Sequence, residues 1–289
     1  MLPMERVVYD GDRVEVGAFR CPAGRADFTH AGPIRNHCAF VFPRTAVRIR
    51  HEGQRAFTAD PAVVTFYNPC QPYTRERLDP AGDLCEWFAL DPELTAEVVR
   101  ERDPAAAERP QGPFRFSHGP SDGPTYLAQR ELFLLLARGD AGDLAVQETV
   151  LMLLDRVLDL AYGVWGGAAA RTEPARRRER DAAGQARELL ALRFREAFTL
   201  SDLADAVGLS RFRLCRAFRQ VTGSTMHAFR EQLRLRAALD PLGEGCDDLT
   251  GLALDLGYSN HSHFTASFRK AFGVTPSQAR ARFRSSTRR

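Results

Sequence analysis

The stretch DLADAVGLSRFRLCRAFRQVTG at residues 202–223 recurs, one residue longer, as GLALDLGYSNHSHFTASFRKAFG at residues 251–273. Leu203 returns as leucine 49 residues later, whereas Phe218 returns as phenylalanine 50 residues later. The shift from 49 to 50 places the extra residue near the middle of the second copy, where a turn tolerates a change in length. A repeat of this period indicates one supersecondary unit that occurs twice.

Each copy has the pattern of two helices joined by a short turn. A short helix (residues 201–207 or 249–256) ends near a glycine, whose missing side chain permits the positive φ of a tight turn. A second helix (residues 210–220 or 260–271) follows, with leucine and phenylalanine at the spacing of one buried face. This pattern is typical of a helix-turn-helix unit, in which the second helix lies in the major groove of DNA.

The exposed face of each second helix carries side chains that can contact DNA. Arginine binds guanine through two hydrogen bonds, and Asn, His, Ser and Thr can reach base edges or phosphates. An all-helical repeat that binds no nucleic acid is the alternative, and it accounts less well for two such faces. A single helix over residues 225–239, about 22 Å long, is predicted to join the copies. The DNA-contacting residues predicted from this pattern are Arg211, Arg213, Arg216 and Arg219 in the first copy and Asn260, His261, Ser262, His263, Thr265 and Arg269 in the second.

Charge is distributed unevenly along the 289 residues, although the whole chain carries a formal net charge of only +3. Residues 1–170 contain 18 arginines, no lysine and 24 acidic residues, whereas residues 171–289 contain 21 arginines, one lysine and 13 acidic residues. The first part is therefore acidic, at −6, and the second part is basic, at +9. A basic domain attached to an acidic one indicates a polyanion such as DNA as the partner of the basic part.

The composition, with 44% hydrophobic and 27% charged residues, is typical of a globular protein. No apolar run approaches the ~18 residues of a membrane span, and the first residues lack the basic and apolar regions of a signal peptide. We therefore expect a cytoplasmic protein without a membrane partner. The six cysteines form no Cys-x-x-Cys pair, and neither a disulfide framework nor a cofactor is predicted.

The first 165 residues change from strand patterns to helix patterns. Six short β segments are separated by turns rich in Gly, Pro, Asn and Asp, which is typical of a small barrel or jelly roll. The last helix is apolar over a wide face, so it lies either in the domain core or in a dimer interface. Residues 166–180, GGAAARTEPARRRER, have no periodic apolar face and are predicted as a linker. The predicted strands cover residues 14–21, 38–42, 46–50, 55–58, 63–67 and 85–90, and the predicted helices cover residues 93–102, 126–138 and 144–165.

The repeat resembles the AraC/XylS family of bacterial transcription regulators over about residues 182–284. The most specific stretch is Phe-Gly-Val-Thr-Pro-Ser at residues 272–277, with Pro276 at the first position of a helix. The resemblance implies a helical module that binds DNA with both second helices. The base-contacting positions that it implies are Phe212, Cys215 and Arg216 in the first copy and His261, Ser262, Thr265 and Ala266 in the second.

Two of these positions depart from the family pattern. Cys215 is a weak hydrogen-bonding residue, and Ala266 stands where the family often has arginine. Arg216 is therefore the strongest single candidate for direct contact with a base. A phosphate contact, or an ion pair with Asp202 or Asp205, is the alternative role for Arg216.

The N-terminal part resembles the cupin-like effector domain of the same family more loosely, through residues 37–42 and 63–69. We therefore predict an α+β fold in two domains. A cupin-like β-barrel with a helical hairpin, for effector binding and dimerisation, covers residues 1–165, a linker covers residues 166–181, and an all-α tandem helix-turn-helix domain covers residues 182–289. The predicted protein is a sequence-specific DNA-binding transcription regulator and not an enzyme. Its predicted partners are double-stranded promoter DNA, a small-molecule effector, a second copy of the chain and, if it activates transcription, RNA polymerase.

Three hypotheses about the signal remain open at the level of the sequence. The first is an aromatic effector pocket. The second is a thiol or metal sensor built on the N-terminal cysteines, which are otherwise small buried apolar residues. The third is a cupin enzyme fused to a DNA-binding domain, although residues 1–165 contain no His-x-His followed by Glu, and no catalytic residue is assigned. The candidate effector-binding residues are His37, Cys38, Phe66, Tyr67, Tyr73 and Trp87, and the candidate metal ligands are His37, Cys38, Cys70 and Cys85.

Overall fold

The computed structural model describes residues 4–26, 28–31, 36–109, 111–138, 143–165, 174–196 and 199–285. The chain divides into two compact units, of which the first comprises residues 1–167 with 282–289 and the second comprises residues 168–281. The first unit contains the strands and the second is helical, so the predicted α+β class is confirmed. No helix within the described residues combines the length and the apolar character needed to cross a membrane.

The described part of the first unit contains two antiparallel sheets. Its strands are β1 (Glu5–Asp10), β2 (Val14–Cys21), β3 (His30–Ala31), β4 (Cys38–Pro43), β5 (Val47–His51), β6 (Phe57–Ala59), β7 (Val63–Tyr67), β8 (Tyr73–Arg77), β9 (Asp83–Leu90) and β10 (His118–Pro120). The larger sheet has the order β1-β2-β9-β4-β7-β10, and the smaller has the order β3-β8-β5-β6. No ladder joins the two sheets within this part of the chain, so the predicted barrel is not closed by hydrogen bonds: β4 and β9 have both edges occupied within their own sheet.

The two sheets enclose one core. Val41 and Tyr67 of the larger sheet share it with Val47 and Ile49 of the smaller sheet. Successive residues of a strand point to opposite faces, yet β4 and β7 are buried along their whole length. Both faces of the larger sheet are therefore covered, one by the smaller sheet and the other by helices.

Helices cover the outer face of the larger sheet. They are α1 (Pro92–Arg100), α2 (Gly123–Arg138) and α3 (Asp143–Trp165). Phe42 of β4 meets Tyr126 of α2 edge-to-face at a ring-centroid distance of 6.2 Å. Glu86 of β9 is only 2% exposed and forms ion pairs with Arg44, at 2.7 Å, and with Arg130 of α2. These contacts fix α2 to the sheet.

The second unit is helical throughout its described residues. Its helices are α4 (Pro174–Arg193), α5 (Leu200–Val207), α6 (Arg211–Thr222), α7 (Met226–Ala237), α8 (Leu239–Gly243), α9 (Leu249–Asp255), α10 (His261–Phe272) and α11 (Pro276–Ser285), the last of which continues beyond residue 281. The single helix predicted over residues 225–239 is α7, and the chain then turns at Ala238 into α8.

The predicted linker needs a correction. Residues 174–181 are the first two turns of α4, whereas residues 166–173 lie outside the described part of the chain. The stretch shows no apolar periodicity because the buried face of α4 begins with a charged residue, Glu179, and continues with the small residues Ala182, Ala183 and Ala186. Arginine, alanine and glutamate are nevertheless good helix formers.

Candidate functional site

The first copy of the repeat is a helix, a glycine turn and a second helix. A reciprocal capping box between Thr199 and Asp202 starts α5. Gly208 follows α5 with φ +66°, in the left-handed region that favours glycine. The second helix, α6, turns Leu214 and Phe218 into the core, where the Phe218 ring lies 5.6 Å from that of Phe229 on α7. The opposite face of α6 is consequently left to solvent.

The second copy repeats this construction with different side chains. Asp248 caps α9, and Gly257 in the turn has φ +83°. Asn260 caps α10, since its side-chain oxygen accepts a hydrogen bond from the backbone N–H of His263 at 2.8 Å. Phe264, Phe268 and Phe272 form the buried face of α10. The Asn260 oxygen is therefore engaged in the helix cap, although the sequence alone predicted this residue as a DNA contact.

The exposed face of α6 is basic. Arg213, Cys215, Arg216 and Arg219 are exposed, as predicted DNA contacts must be. The side chains of Arg211 and Phe212 lie outside the described part of the structure. Arg216 forms an ion pair, but with Glu179 of α4 at 3.7 Å rather than with the aspartates of α5 that the sequence suggested.

The exposed face of α10 lines a concavity with a volume of about 780 Å³. The hydroxyl oxygen of Thr265 lies 3.4 Å from Nε2 of His261 in this surface. His263 is exposed but contributes nothing to the concavity, and its ring contacts Tyr258 at 5.4 Å. The lining residues are His261, Ser262, Thr265, Ala266, Arg269, Lys270 and Thr275. Among them, Lys270 and Thr275 were not predicted, although Lys270 lies one helical turn after Ala266 and is the only lysine of the chain.

Helix α7 contacts both copies. Phe229 packs against the first recognition helix, as described above, and Nε of Arg234 donates to the carbonyl oxygen of Phe194, just beyond α4, at 2.9 Å. On the side of the second copy, the Tyr258 hydroxyl donates to Glu231 at 3.0 Å, and the Arg234 guanidinium lies over the Tyr258 ring at 5.7 Å. Burial, and then the Glu231 carboxylate, raise the pKa of Tyr258, which therefore stays a hydrogen-bond donor.

The predicted effector residues are divided between the two faces of the larger sheet. Tyr67, Tyr73 and Trp87 share the core between the sheets, with the Tyr67 and Tyr73 rings 4.9 Å apart. Phe66 lies on the opposite face, where its ring contacts that of Phe114 at 5.1 Å. The alternation of the strand explains this separation, since Phe66 and Tyr67 are consecutive.

Two further candidates also stand apart from the aromatic core. Cys38 belongs to the outer face of β4, and Nδ1 of His37 lies 3.7 Å from the carboxylate of Glu15 at the edge of the unit. The structure therefore brings together three of the six predicted effector residues.

His51 is a core residue that the sequence reasoning missed. It is completely buried beside Tyr67, at a ring-centroid distance of 4.8 Å, and burial lowers its pKa to about 4. Gln71 determines the tautomer of His51. Oε1 of Gln71 accepts a hydrogen bond from the backbone N–H of Asn68 at 2.9 Å, so the amide nitrogen of Gln71 faces Nδ1 of His51 at 3.2 Å. An amide nitrogen only donates, so Nδ1 is the acceptor. The proton of the neutral ring is therefore on Nε2. The alternation of β5 could have identified His51 as a core residue, because it places His51 on the same face as Ile49.

The core between the sheets contains hydrogen-bonding atoms without a protein partner. Nε2 of His51, Oγ1 of Thr65 and Nε1 of Trp87 are buried and make no hydrogen bond within the described residues. The β7-β4-β9 register places Thr65 and Trp87 on either side of Val41. Two of the three groups can only donate, so this interior favours a molecule that carries acceptor oxygens.

Cys38 and Cys85, two of the predicted metal ligands, do not lie in a common site. Burial raises the pKa of Cys38 to about 12 and raises that of Cys85 well above its ordinary value, which disfavours the reactive thiolate. The two lie at opposite ends of the β4–β9 ladder, because Cys38 pairs with Leu90 and Cys85 with Pro43. Within the described residues, no group of three or more His, Cys, Asp or Glu side chains could hold a metal ion.

Known proteins match the C-terminal part of the chain. A family model described as a helix-turn-helix domain matches residues 203–282. The chain is 34% identical over 87 residues to the HTH-type transcriptional activator RhaS of Escherichia fergusonii, covering 30% of this chain and 31% of that protein. It is 33% identical over 88 residues to the RCS-specific HTH-type transcriptional activator RclR of Escherichia coli, again covering 30% and 31%. The matches thus span about a third of the length of these relatives.

Similar proteins are also found among solved structures. A probable AraC family transcriptional regulator from Rhodopseudomonas palustris is 30% identical and covers 36% of this chain and 97% of its own, with a TM-score of 0.34. ToxT from Vibrio cholerae is 10% identical and covers 94% of this chain and 98% of its own, with a TM-score of 0.37.

Two glycine turns, two recognition helices and one connecting helix define a tandem helix-turn-helix domain, which is a DNA-binding class. Residues 203–282 match the helix-turn-helix family model and overlap the part that is similar to named HTH-type transcriptional activators, so the resemblance of the repeat to the AraC/XylS family is confirmed.

Proposed function

We propose that this protein regulates transcription by binding specific DNA sites through α6 and α10. The observation that carries the proposal is a pair of capped helices with DNA-compatible side chains on equivalent exposed faces. The face of α6 carries arginines, and the face of α10 carries His, Ser, Thr and basic residues around a concavity. Arg216 supplies the guanine contact, whereas Arg219, Arg269 and Lys270 neutralise phosphates. The remaining proposed DNA-contacting residues are Arg211, Phe212, Arg213, Cys215, Asn260, His261, Ser262, His263 and Thr265.

The test measures the affinity of the full chain for the DNA upstream of its own gene and for random DNA over a series of salt concentrations. We expect a preference for the upstream site. Arg216→Ala should weaken binding to that site by ~1–3 kcal/mol and relax one base position, without flattening the salt dependence as a lost phosphate contact would. Arg55→Ala, an exposed arginine of the first unit, is the matched control and should bind as the wild type does. Equal affinity for upstream and random DNA contradicts the proposal.

We propose further that the first unit senses a small molecule in the core between its two sheets. The support is the set of unpartnered buried groups on His51, Thr65 and Trp87 beside the rings of Tyr67 and Tyr73. An unpaired buried donor is unfavourable unless a ligand or water satisfies it. An uncharged or weakly acidic molecule with an apolar body and acceptor oxygens fits these groups, since His51 is neutral at pH 7.

Mass spectrometry of the native and the denatured protein tests for such a ligand. We expect a small molecule to be retained by the wild type and lost in His51→Ala. Phe66→Leu, on the opposite face of the sheet, is the control and should retain it. A native mass equal to that of the chain alone, together with no change in Trp87 fluorescence when extracts of the host's small molecules are added to a Trp165→Phe variant, would exclude this site.

The proposal extends to dimerisation, cellular location and the kind of signal. Two copies pair through the first unit, where α3 exposes Met152 and Val164, and an activator of this kind would contact RNA polymerase. We propose no catalytic activity and a cytoplasmic location, as is typical of the family. Burial of Cys38 and Cys85 favours a molecular effector over thiol or metal sensing.

A further inference from the structure

Glu179 is a carboxylate beneath the first recognition helix. It lies in the second turn of α4, on the face that continues through Ala182, Ala183 and Ala186. These small residues let α4 approach α6 closely, and the side chain of Glu179 is only 11% exposed. A carboxylate at this depth is unfavourable unless it is paired.

Two arginines of α6 supply that pairing. Nε of Arg213 donates to Oε1 of Glu179 at 3.0 Å, and Nη2 of Arg216 lies 3.7 Å from the same oxygen. The two arginines are three residues apart, so they share one face of the helix. Their side chains remain 50% and 55% exposed.

This geometry holds the arginines without blocking them. A guanidinium has five N–H donors, and Glu179 engages each group through a single nitrogen. The other donors of Arg216 stay available for the two parallel hydrogen bonds that guanine accepts. A side chain that is already held loses less conformational freedom when DNA binds.

The carboxylate has a second, electrostatic effect. It offsets part of the positive charge of α6, which lowers the attraction that the helix exerts on phosphates of any sequence. The negative charge therefore lowers affinity for every DNA sequence alike, whereas the orientation of Arg216 raises affinity for the specific site alone. Orientation thus increases the ratio of specific to random binding, and the charge lowers the overall affinity.

We propose that Glu179 is a positioning residue that determines the sequence specificity of the first recognition helix, acting through Arg216. The inference rests on the proposed function, because it requires that α6 binds DNA.

The decisive variant is Glu179→Gln, which keeps the size of the side chain and an oxygen for Arg213 but removes the charge. Its matched control is Asp181→Asn, because Asp181 lies exposed on the same helix and loses the same charge. We expect Glu179→Gln to bind random DNA more tightly, with a slope of log affinity against log salt that is steeper by about 0.9. Its preference for guanine at the position contacted by Arg216 should fall about fivefold or more. Asp181→Asn should keep the wild-type preference.

A double-mutant cycle separates positioning from a structural role. In an Arg216→Ala background, Glu179→Gln should no longer change the base preference, since the residue through which it acts is absent. Circular dichroism establishes that each variant is folded. If Glu179→Gln does not fold, Glu179→Asp retains the charge but withdraws the carboxylate by one methylene, and it should show the same loss of preference at the same position.

Three outcomes overturn the inference. The base preference is unchanged in Glu179→Gln, or specific and random binding rise together as they would if Glu179 only competed with DNA, or the loss persists without Arg216. A wild type that prefers no DNA sequence is a different result and contradicts the proposed function itself.

Discussion

Gly208 and Gly257 occupy the same place in the two copies, but replacement by alanine should affect them unequally. Their φ values are +66° and +83°, so alanine at either position adopts a left-handed backbone, at a cost of ~1–2 kcal/mol. A Cβ on Gly208 would have no heavy atom within 4 Å, whereas a Cβ on Gly257 would lie 2.7 Å from the carbonyl oxygen of Arg195 and would collide with the Arg234 guanidinium. Relief of that overlap requires a backbone shift, which costs roughly another 1–3 kcal/mol.

We therefore expect Gly208→Ala to lower the free energy of unfolding of the second unit by ~1–2 kcal/mol and Gly257→Ala to lower it by ~2–5 kcal/mol. Urea denaturation followed by far-ultraviolet circular dichroism measures both, because the second unit is helical. Gly273→Ala, with φ +76° and open space around the Cβ, is a further control and should match Gly208→Ala.

Gly257→Ala should also alter the DNA-binding surface. A displaced Arg234 loses its place over the Tyr258 ring, next to the turn that leads into α10. Gly257→Ala should consequently weaken DNA binding even under conditions where the protein stays folded, whereas Gly208→Ala should not. Equal losses of stability in the two variants would refute the argument from the Arg195 carbonyl.

Three other predictions concern single side chains. Glu86→Ala should destabilise the first unit by ~3–5 kcal/mol in urea, because it removes a 2% exposed carboxylate that forms two ion pairs. Glu76→Ala, at an exposed ion pair, should cost at most ~1 kcal/mol, and similar losses of stability in the two variants would contradict the role assigned to burial. Cys70 and Cys215 are exposed, so Cys70 is first replaced by serine. In this background, alkylation of Cys215 should weaken DNA binding at least tenfold, and bound DNA should slow the alkylation. Alkylation at the same rate with and without DNA would show that α6 does not contact DNA. The pKa of His51 is lowered to about 4 in the folded protein, so the unfolded chain binds the extra proton first as the pH falls. The free energy of unfolding should therefore decline by ~3 kcal/mol between about pH 6.5 and pH 4. His51→Gln should not show this decline.

The sequence predicted the second unit better than the first. The repeat determines both glycine turns and both recognition helices, because each depends on local chemistry that is present twice. β2 and β7 begin and end where their apolar residues and the flanking turns predict. Local patterns suffice wherever the buried face is apolar.

Some of the parts that the sequence did not predict have charged or polar buried faces. β8 was missed because the residue at its centre that faces the core is Arg75, which is 4% exposed and pairs with Asp83 at 3.0 Å. The Arg75 guanidinium also lies 4.6 Å from the Phe19 ring centroid. The start of α4 was missed because the first buried residue of its inner face is the charged Glu179. His51 was missed because it is a polar residue in the core. Arg75 and Glu179 pair with charged residues of other elements, and Nδ1 of His51 faces Gln71. Periodicity along the chain does not reveal such contacts.

Helix α7 holds both copies of the repeat through direct contacts, with Phe229 against the first and Glu231 and Arg234 against the second. The two recognition helices are therefore presented at one separation and one angle, and the protein has little freedom to adapt to a site of different length. Insertion of one base pair between the two contacted segments rotates the second by about a tenth of a helical turn, and the DNA must absorb that change by twisting or bending. Target sites for such a domain can vary in sequence, but their internal spacing is expected to be constant.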